Sequence, residues 1–393
     1  MSGYLEHEGK KYCTEPYRTV CIGTTGGVTP CCALSNTNFG LVTEDTANSI
    51  QEIYDSKEWK RFFKKNASGN FDNVCKQACN HPGITTFKLS WKIAERENWK
   101  LRDKNAVSAD IAFGNLCNLS CTMCSSVFSS EWIKIEKKEN GKSNYKPWNF
   151  SEKQVKEIAE YIKDVTRVVI KGGEPMFNPR LPLFLKELAK YKTQRDFTLI
   201  SNLSVIQEDS LKQLEKFQLD TTRACINASI ESCDNDYYKL IRGGKDSSFD
   251  QYIQNFNLIQ NNYKKINLRA HYLLNAWNMH QVKDHIEKLL DNGVRKIQMD
   301  TIIGPVEQSF LTQNLQKRQK LKKDLENIAN KYPSNIFENK DEILTALNNK
   351  QVYKDKSSNI YKSKVHYDRR LLQGVNFTKT YEQLFGDYIN AHV

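Results

Sequence analysis

The sequence predicts an α/β protein. Its largest part is an incomplete (β/α)6 barrel over residues 107–304, with a small cysteine-rich α+β module in front and a helical extension behind. Three observations carry this. Between 107 and about 303, six short apolar runs alternate with amphipathic helical stretches, the pattern of parallel strands joined by right-handed crossovers. Residues 1–85 hold six of the eleven cysteines. Past Pro305 the strand pattern stops, and the chain reads as helix.

Composition narrows the class. With 393 residues, 39% hydrophobic and 26% charged, the chain is long enough for one large domain and a smaller one. No apolar run reaches transmembrane length, and Met1 to Lys11 has no apolar signal core, so a cytoplasmic protein without a membrane partner is expected. In a reducing compartment clustered cysteines signal metal or catalysis rather than disulfides. The net charge of +12 admits a nucleic-acid partner, but a chain rich in Lys, Asn and Ile throughout acquires such a charge by compositional bias.

In the front module, residues 1–85, Tyr17–Ile22 and Val28–Cys32 read as two strands joined by Thr24-Thr25-Gly26-Gly27, a hairpin signal. Ser49–Lys64 reads as one helix with Ile50, Ile53, Tyr54 and Trp59 on a common face. Residues 86–106 form a connector, with a helix expected from Lys88 to Trp99. Barrel strands are expected at Val107–Phe113, Arg167–Lys171, Asp196–Ser201, Arg223–Ile230, Ile266–Leu274 and Lys296–Ile302. Helices lie between them, such as Ser151–Lys163, whose Ser151 and Gln154 form a capping box. In the extension, 305–393, Leu315–Tyr332 is a Lys-rich helix and Thr380–Tyr388 an aromatic one.

The chemistry centres on the loop after the first barrel strand. Gly114-Asn115-Leu116-Cys117-Asn118-Leu119-Ser120-Cys121-Thr122-Met123-Cys124 sets three cysteines at Cys-x-x-x-Cys-x-x-Cys spacing. Such a loop can aim three thiolates at one compact object, an iron–sulfur cluster or zinc. Three buried cysteines, or a zinc knuckle borrowing a fourth ligand, are the plainer alternatives. After the second strand comes Lys171-Gly172-Gly173-Glu174-Pro175, where two glycines remove every Cβ and let backbone approach a ligand closely.

This pair of motifs resembles the radical S-adenosylmethionine (SAM) superfamily. The resemblance implies a [4Fe–4S] cluster on Cys117, Cys121 and Cys124 with one open iron, and the methionine end of SAM on Gly172, Gly173, Glu174 and Pro175. It further implies SAM contacts at Asn202, where the family's usual glycine is replaced by Leu203, at Ser229 toward the ribose, and at Arg242 toward the carboxylate. Asn275 is a further candidate for the adenosine. Asn227 and Glu231 share the face of Ser229, whereas Cys225 and Cys233 read as buried thiols.

The front module resembles the half-SPASM or twitch domain, on Cys13 with Pro16-Tyr17, the Gly27-Val28-Thr29-Pro30-Cys31-Cys32 end, the Ile50–Ser56 helix and the closing Cys75 and Cys79. Its auxiliary iron–sulfur cluster would take Cys13, Cys31 or Cys32, Cys75 and Cys79, with structural zinc as the alternative. Cys21 falls in mid-strand and reads as a small buried hydrophobe.

The two resemblances together imply an enzyme that cleaves SAM reductively and abstracts hydrogen from a peptide, protein or small-molecule substrate. Its electron would come from a donor such as a flavodoxin or ferredoxin. A nucleoside- or RNA-modifying enzyme and a non-catalytic metal-binding protein stand as alternatives. The His366-Tyr367-Asp368-Arg369-Arg370 stretch resembles the tail of stand-alone proteins with an N-terminal twitch module.

Overall fold

The computed structural model describes residues 5–7, 10–13, 15–32, 39–42, 49–69, 106–220, 222–244, 247–302, 305, 308–332, 340–348 and 357–390. The expected Lys88–Trp99 helix, Cys75, Cys79 and the first border of the connector lie outside them.

All six expected barrel strands form, each within one residue of its expected bounds: β5 Ser108–Ala112, β6 Arg167–Lys171, β7 Arg195–Ser201, β8 Thr222–Ile230, β9 Asn267–Leu274 and β10 Ile297–Thr301. Four shorter strands precede them: β1 Leu5–His7, β2 Lys10–Tyr12, β3 Thr19–Ile22 and β4 Val28–Thr29. The first two make an antiparallel pair, and the other eight lie in one sheet, ordered β10-β9-β8-β7-β6-β5-β3-β4. An open series of consecutive strands from β5 to β10 is the incomplete barrel that the alternation predicts.

By internal contacts the chain divides into two compact units. One holds 1–117, 144–200 and 207–225, the other 118–143, 201–206 and 226–393. In the first unit β5, β6 and β7 pair in parallel, with Ile111 opposite Ile170 and Ile170 opposite Leu199. Helices of the same unit add to its core: Val155, Ile158 and Ala159 of α5 (Glu152–Tyr161) and Phe184, Leu185 and Leu188 of α6 (Leu181–Leu188) are all fully buried. The Ser151–Gln154 capping box is present and satisfies both backbone groups.

The front hairpin differs from expectation. Strand β3 does pair antiparallel with β4, but its other edge pairs in parallel with β5, Cys21 opposite Asp110. All four residues of β3 are buried, as a strand flanked on both edges and covered on both faces requires. Tyr17 and Arg18, expected in the strand, belong instead to a single turn of helix, Glu15–Arg18. The single helix expected over Ser49–Lys64 is two, Ile50–Asp55 and Lys57–Ala67. Ser56 breaks it: its backbone is extended (φ −61°, ψ 156°), and its Oγ accepts from Trp59 N at 3.2 Å, capping the second helix.

In the second unit β9 and β10 pair in parallel, and the extension packs there as helix. A 3-10 turn, Phe310–Thr312, and helices α11 (Leu315–Lys331), α12 (Lys340–Leu347), α13 (Ser357–Leu372) and α14 (Tyr381–Asn390) account for its regular structure among the described residues. Tyr367, Tyr381, Leu384 and Phe385 share one apolar cluster with Tyr237, Leu240, Ile241 and Trp277. The carboxylate of Asp236 accepts from Thr378 N at 2.8 Å and Lys379 N at 2.7 Å, fixing the turn into α14. No described helix is long and apolar enough to cross a membrane.

Candidate functional site

The first unit carries the glycine-rich strand end. Beyond β5 and β6 the two chains continue to bond: Phe113 N to Lys171 O at 2.6 Å, Gly173 N to Gly114 O at 2.9 Å and Glu174 N to Leu116 O at 2.7 Å. Both glycines are needed for this approach. Gly172 has φ +131°, and a Cβ there would stand 2.7 Å from Gly114 O; a Cβ on Gly173 would stand 2.2 Å from Leu116 O. The two glycines therefore bring backbone against the residues that lead into Cys117. Glu174 is buried, and its Oε1 accepts from Met176 N at 2.8 Å, capping the short turn Pro175–Phe177. Asn178, which no sequence motif marks, steadies the same end by donating to Phe113 O at 2.5 Å.

The second unit carries Cys121 and Cys124. The loop is held from several sides: Ser120 N donates to Arg242 O at 3.1 Å, Thr122 N to Ile241 O at 2.8 Å, Ser129 Oγ to Leu119 O at 2.6 Å and Trp132 Nε1 to Cys121 O at 2.9 Å. A hydrogen bond with Cys124, joined by the charges of Arg242 and Arg370, outweighs burial and holds the Cys121 thiol down to about 6. A thiol pKa lowered in this way favours the thiolate, the form that ligates metal.

Arg242 sits deeper than a surface ion pair. Its Nε lies 2.5 Å from Glu231 Oε2 and its Nη2 2.8 Å from Oε1, with the side chains 6% and 0% exposed, and Nη1 is 3.9 Å from Cys121 Sγ. Burial pushes the Glu231 carboxyl up to about 7 against the pull of Arg242. Burial opposes the charge on Arg242 too, but Glu231 and then Cys121 more than restore it. The guanidinium fork expected for a ligand carboxylate is thus filled by a carboxylate of the chain itself.

Asn202 is likewise engaged. Its Oδ1 accepts from Ser204 N at 2.8 Å, and its Nδ2 donates to Asn118 Oδ1 at 3.3 Å, while Asn118 Nδ2 donates to Ser204 Oγ at 2.8 Å. Leu203, in the place of the family's glycine, adopts φ +55°, so the left-handed bend is kept without the residue that makes it easy. Asn227 and Ser229 are buried on β8 beside Glu231. Asn275 is fully buried; its Oδ1 accepts from Trp277 N and Asn278 N, at 2.8 and 3.0 Å, and its Nδ2 has no partner among the described residues.

Of the remaining cysteines, Cys21, Cys225 and Cys233 are buried. Burial pushes the Cys21 and Cys233 thiols far up, as small apolar side chains would have it. Cys13 is half-buried, with its backbone bonded both ways to Asn66, at 3.0 and 2.7 Å. Cys31 is buried and Cys32 exposed at the end of the hairpin.

The chain matches the radical SAM superfamily over residues 111–289 and an iron–sulfur cluster-binding domain, SPASM, over 13–80. No curated protein matches it. Among solved structures it is similar to SuiB of Streptococcus suis bound to the precursor peptide SuiA, with 15% identity over 68% of this chain and 54% of that one and a TM-score of 0.44. It is similar also to anSMEcpe with bound AdoMet, 15% identical over 58% of this chain and 63% of that one, TM-score 0.45. TYW1 with a lysine-pyruvate adduct bound is 13% identical over 61% of this chain and 89% of that one, TM-score 0.37. The chain thus spans between half and two thirds of SuiB and anSMEcpe. The two domain matches bring with them a [4Fe–4S] cluster and SAM for 111–289 and an auxiliary iron–sulfur cluster for 13–80. The chain is a radical SAM protein with a SPASM-type module N-terminal to its radical SAM domain.

Proposed function

We propose that the chain is a radical SAM enzyme in which Cys117, Cys121 and Cys124 hold the [4Fe–4S] cluster that binds SAM. The observation that carries this is the loop itself: Cys117 and Cys121 buried and Cys124 half-buried, at Cys-x-x-x-Cys-x-x-Cys spacing inside the matched domain. Among the described residues no three Cys, His, Asp or Glu side chains converge where one metal ion could sit. A cubane asks for something else, one thiolate on each of three irons. The donor set suits that group, since thiolates are its ligands. Asn275 Nδ2, buried without a partner, suits a polar ligand atom beside it.

When bound, the cluster supplies one electron to SAM, which splits into methionine and a 5′-deoxyadenosyl radical able to take hydrogen from a substrate. The protein's own residues hold and shield. Gly172 and Gly173 would offer backbone to the amino-acid end of SAM and Ser229 would serve its ribose, while Glu231 keeps Arg242 fixed beside Cys121. With its fork taken by Glu231, Arg242 would serve SAM from its place beside the cysteine loop. A peptide or protein side chain is the first substrate class, because twitch and SPASM relatives modify peptides, proteins and small metabolites. The electron would come from a donor such as a flavodoxin or ferredoxin. The auxiliary cluster takes Cys13, Cys31 or Cys32, Cys75 and Cys79.

The test is anaerobic reconstitution with iron and sulfide, reduction with dithionite and addition of SAM. The expected result is a brown protein that releases 5′-deoxyadenosine. A colourless protein that leaves SAM intact would point instead to a zinc-binding module.

A further inference from the structure

The C-terminal extension sends one side chain into the back of the cysteine loop. Arg370, near the end of α13, is fully buried. Its Nη1 donates to Ser120 Oγ at 2.8 Å and to Gln373 Oε1 at 3.0 Å, its Nη2 donates to Ser120 O, and its Nε donates to Leu240 O at 3.3 Å. Ser120 precedes Cys121 directly in the chain. The guanidinium carbon also stands 5.8 Å from the ring centre of Trp132, whose Nε1 holds the Cys121 carbonyl. Arg369 covers the same ring at 5.4 Å and pairs with Glu139 at 3.0 Å.

The space for this side chain is reserved. At Gly243, φ is +59°, and a Cβ would stand 2.2 Å from Arg370 Cζ; any other residue at 243 would expel the guanidinium. Gly243 and Arg370 are 127 positions apart in sequence, so the fit is tertiary. A surface arginine needs none of this. Burying a guanidinium is costly unless each donor is used and the charge is wanted. Here Nη1 and Nη2 grip the hydroxyl and carbonyl of one loop residue, next to a cluster ligand, while Gln373 and Leu240 take further donors.

We propose that Arg370 is a positioning residue for the radical SAM site: it fixes the loop at Ser120 and sets a buried positive charge against the residue that precedes Cys121. This rests on the reading of Cys117, Cys121 and Cys124 as cluster ligands, yet its first half can be tested without any cluster. A reduced [4Fe–4S] cluster carries one more negative charge than the oxidised one, so a nearby buried cation favours reduction and raises the potential. The extension thereby becomes part of the redox site, and its removal should be felt there.

The experiment uses the full chain in wild-type form and as Arg370→Ala, Arg370→Lys and Ser120→Ala. In the metal-free proteins, amide hydrogen exchange is followed in the peptide covering residues 116–125. Loss of the arginine's bonds should speed exchange there about tenfold in Arg370→Ala, the effect of losing about 1.4 kcal/mol of local protection, with strand β7 unchanged. After reconstitution, a reductive titration followed by electron paramagnetic resonance should give a lower midpoint potential for the Arg370→Ala cluster and a midpoint near wild type for Arg370→Lys. Should Arg370→Ala not fold, the other two decide: Arg370→Lys keeps the charge without the fork and Ser120→Ala removes one acceptor, so both should exchange faster at 116–125. Unchanged exchange in every variant overturns the positioning role, and faster exchange with an unchanged potential overturns the electrostatic one. A wild-type chain that takes up no iron through Cys117, Cys121 and Cys124 defeats the cluster reading, while the exchange data still judge the grip on Ser120.

Discussion

The backbone N–H of Glu174 donates to the carbonyl of Leu116 at 2.7 Å, tying the glycine-rich strand end to the residue just before Cys117. Gly173 permits it, since a Cβ there would stand 2.2 Å from Leu116 O. The glycine pair thus serves the cysteine loop as well as any ligand. Gly173→Val should therefore lose both SAM affinity and iron retained at Cys117. Isothermal titration with SAM and an iron assay on the reconstituted variant check this, and wild-type values in both would reduce the pair to an ordinary turn.

Arg242 and Glu231 form a buried two-point ion pair. Removing one partner leaves a buried charge without its counterpart, at a cost of about 3–5 kcal/mol. Glu231→Gln should be destabilised by that amount at pH 8, where the wild-type carboxyl, raised to about 7, is ionised. Urea denaturation measures it. A loss below about 1 kcal/mol, the range of an exposed pair, would contradict the buried pairing.

His285 is buried, its Nδ1 2.8 Å from Tyr272 Oη and its Nε2 3.4 Å from Ser232 Oγ. Burial, chiefly, pushes its imidazole down to about 3. A group whose pKa falls on folding resists protonation in the native state, while the unfolded chain takes the proton near pH 6.5. Below that pH the native state therefore loses stability, at up to about 1.4 kcal/mol per pH unit. Comparing urea midpoints at pH 7 and pH 5, wild type should lose more than His285→Gln by about 2 kcal/mol. Equal losses would mean that His285 is not held neutral.

The front module makes a separate prediction. With Cys117, Cys121 and Cys124 all replaced by Ala, the chain should still bind iron and sulfide through Cys13, Cys31 or Cys32, Cys75 and Cys79. Replacing Cys75 and Cys79 as well should strip the remainder and render the first 81 residues protease-sensitive, since metal binding and folding are linked in so small a module. Zinc in place of iron in elemental analysis would make the module structural.

Strands were legible because period and β-branching are local: Val168-Val169-Ile170 and Asn227-Ala228-Ser229-Ile230 declare themselves. So did the Ser151 capping box and the cysteine spacing. What local pattern could not supply was partnership. Thr19-Val20-Cys21-Ile22 is an unbroken buried run, a signal of an interior strand, yet nothing in it names β5 as its second neighbour. Ser56 can end one helix or begin another, and here it does both. Arg242 offered a free fork by sequence, but Glu231, eleven residues earlier, fills it. Asn118 and Arg370 gave no sign of their roles, for their partners Ser204 and Ser120 are brought near only by the fold.

The central claim is tested most directly by 5′-deoxyadenosine. Wild-type protein and the Cys117→Ala, Cys121→Ala, Cys124→Ala variant are reconstituted anaerobically, reduced with dithionite and given SAM, and the product is measured by liquid chromatography with mass detection. The account predicts release of 5′-deoxyadenosine and methionine by the wild type and none by the variant, which should also hold about four fewer irons per chain, one cubane. Equal cleavage by both proteins, or none by a wild type that has taken up its full iron, would contradict it.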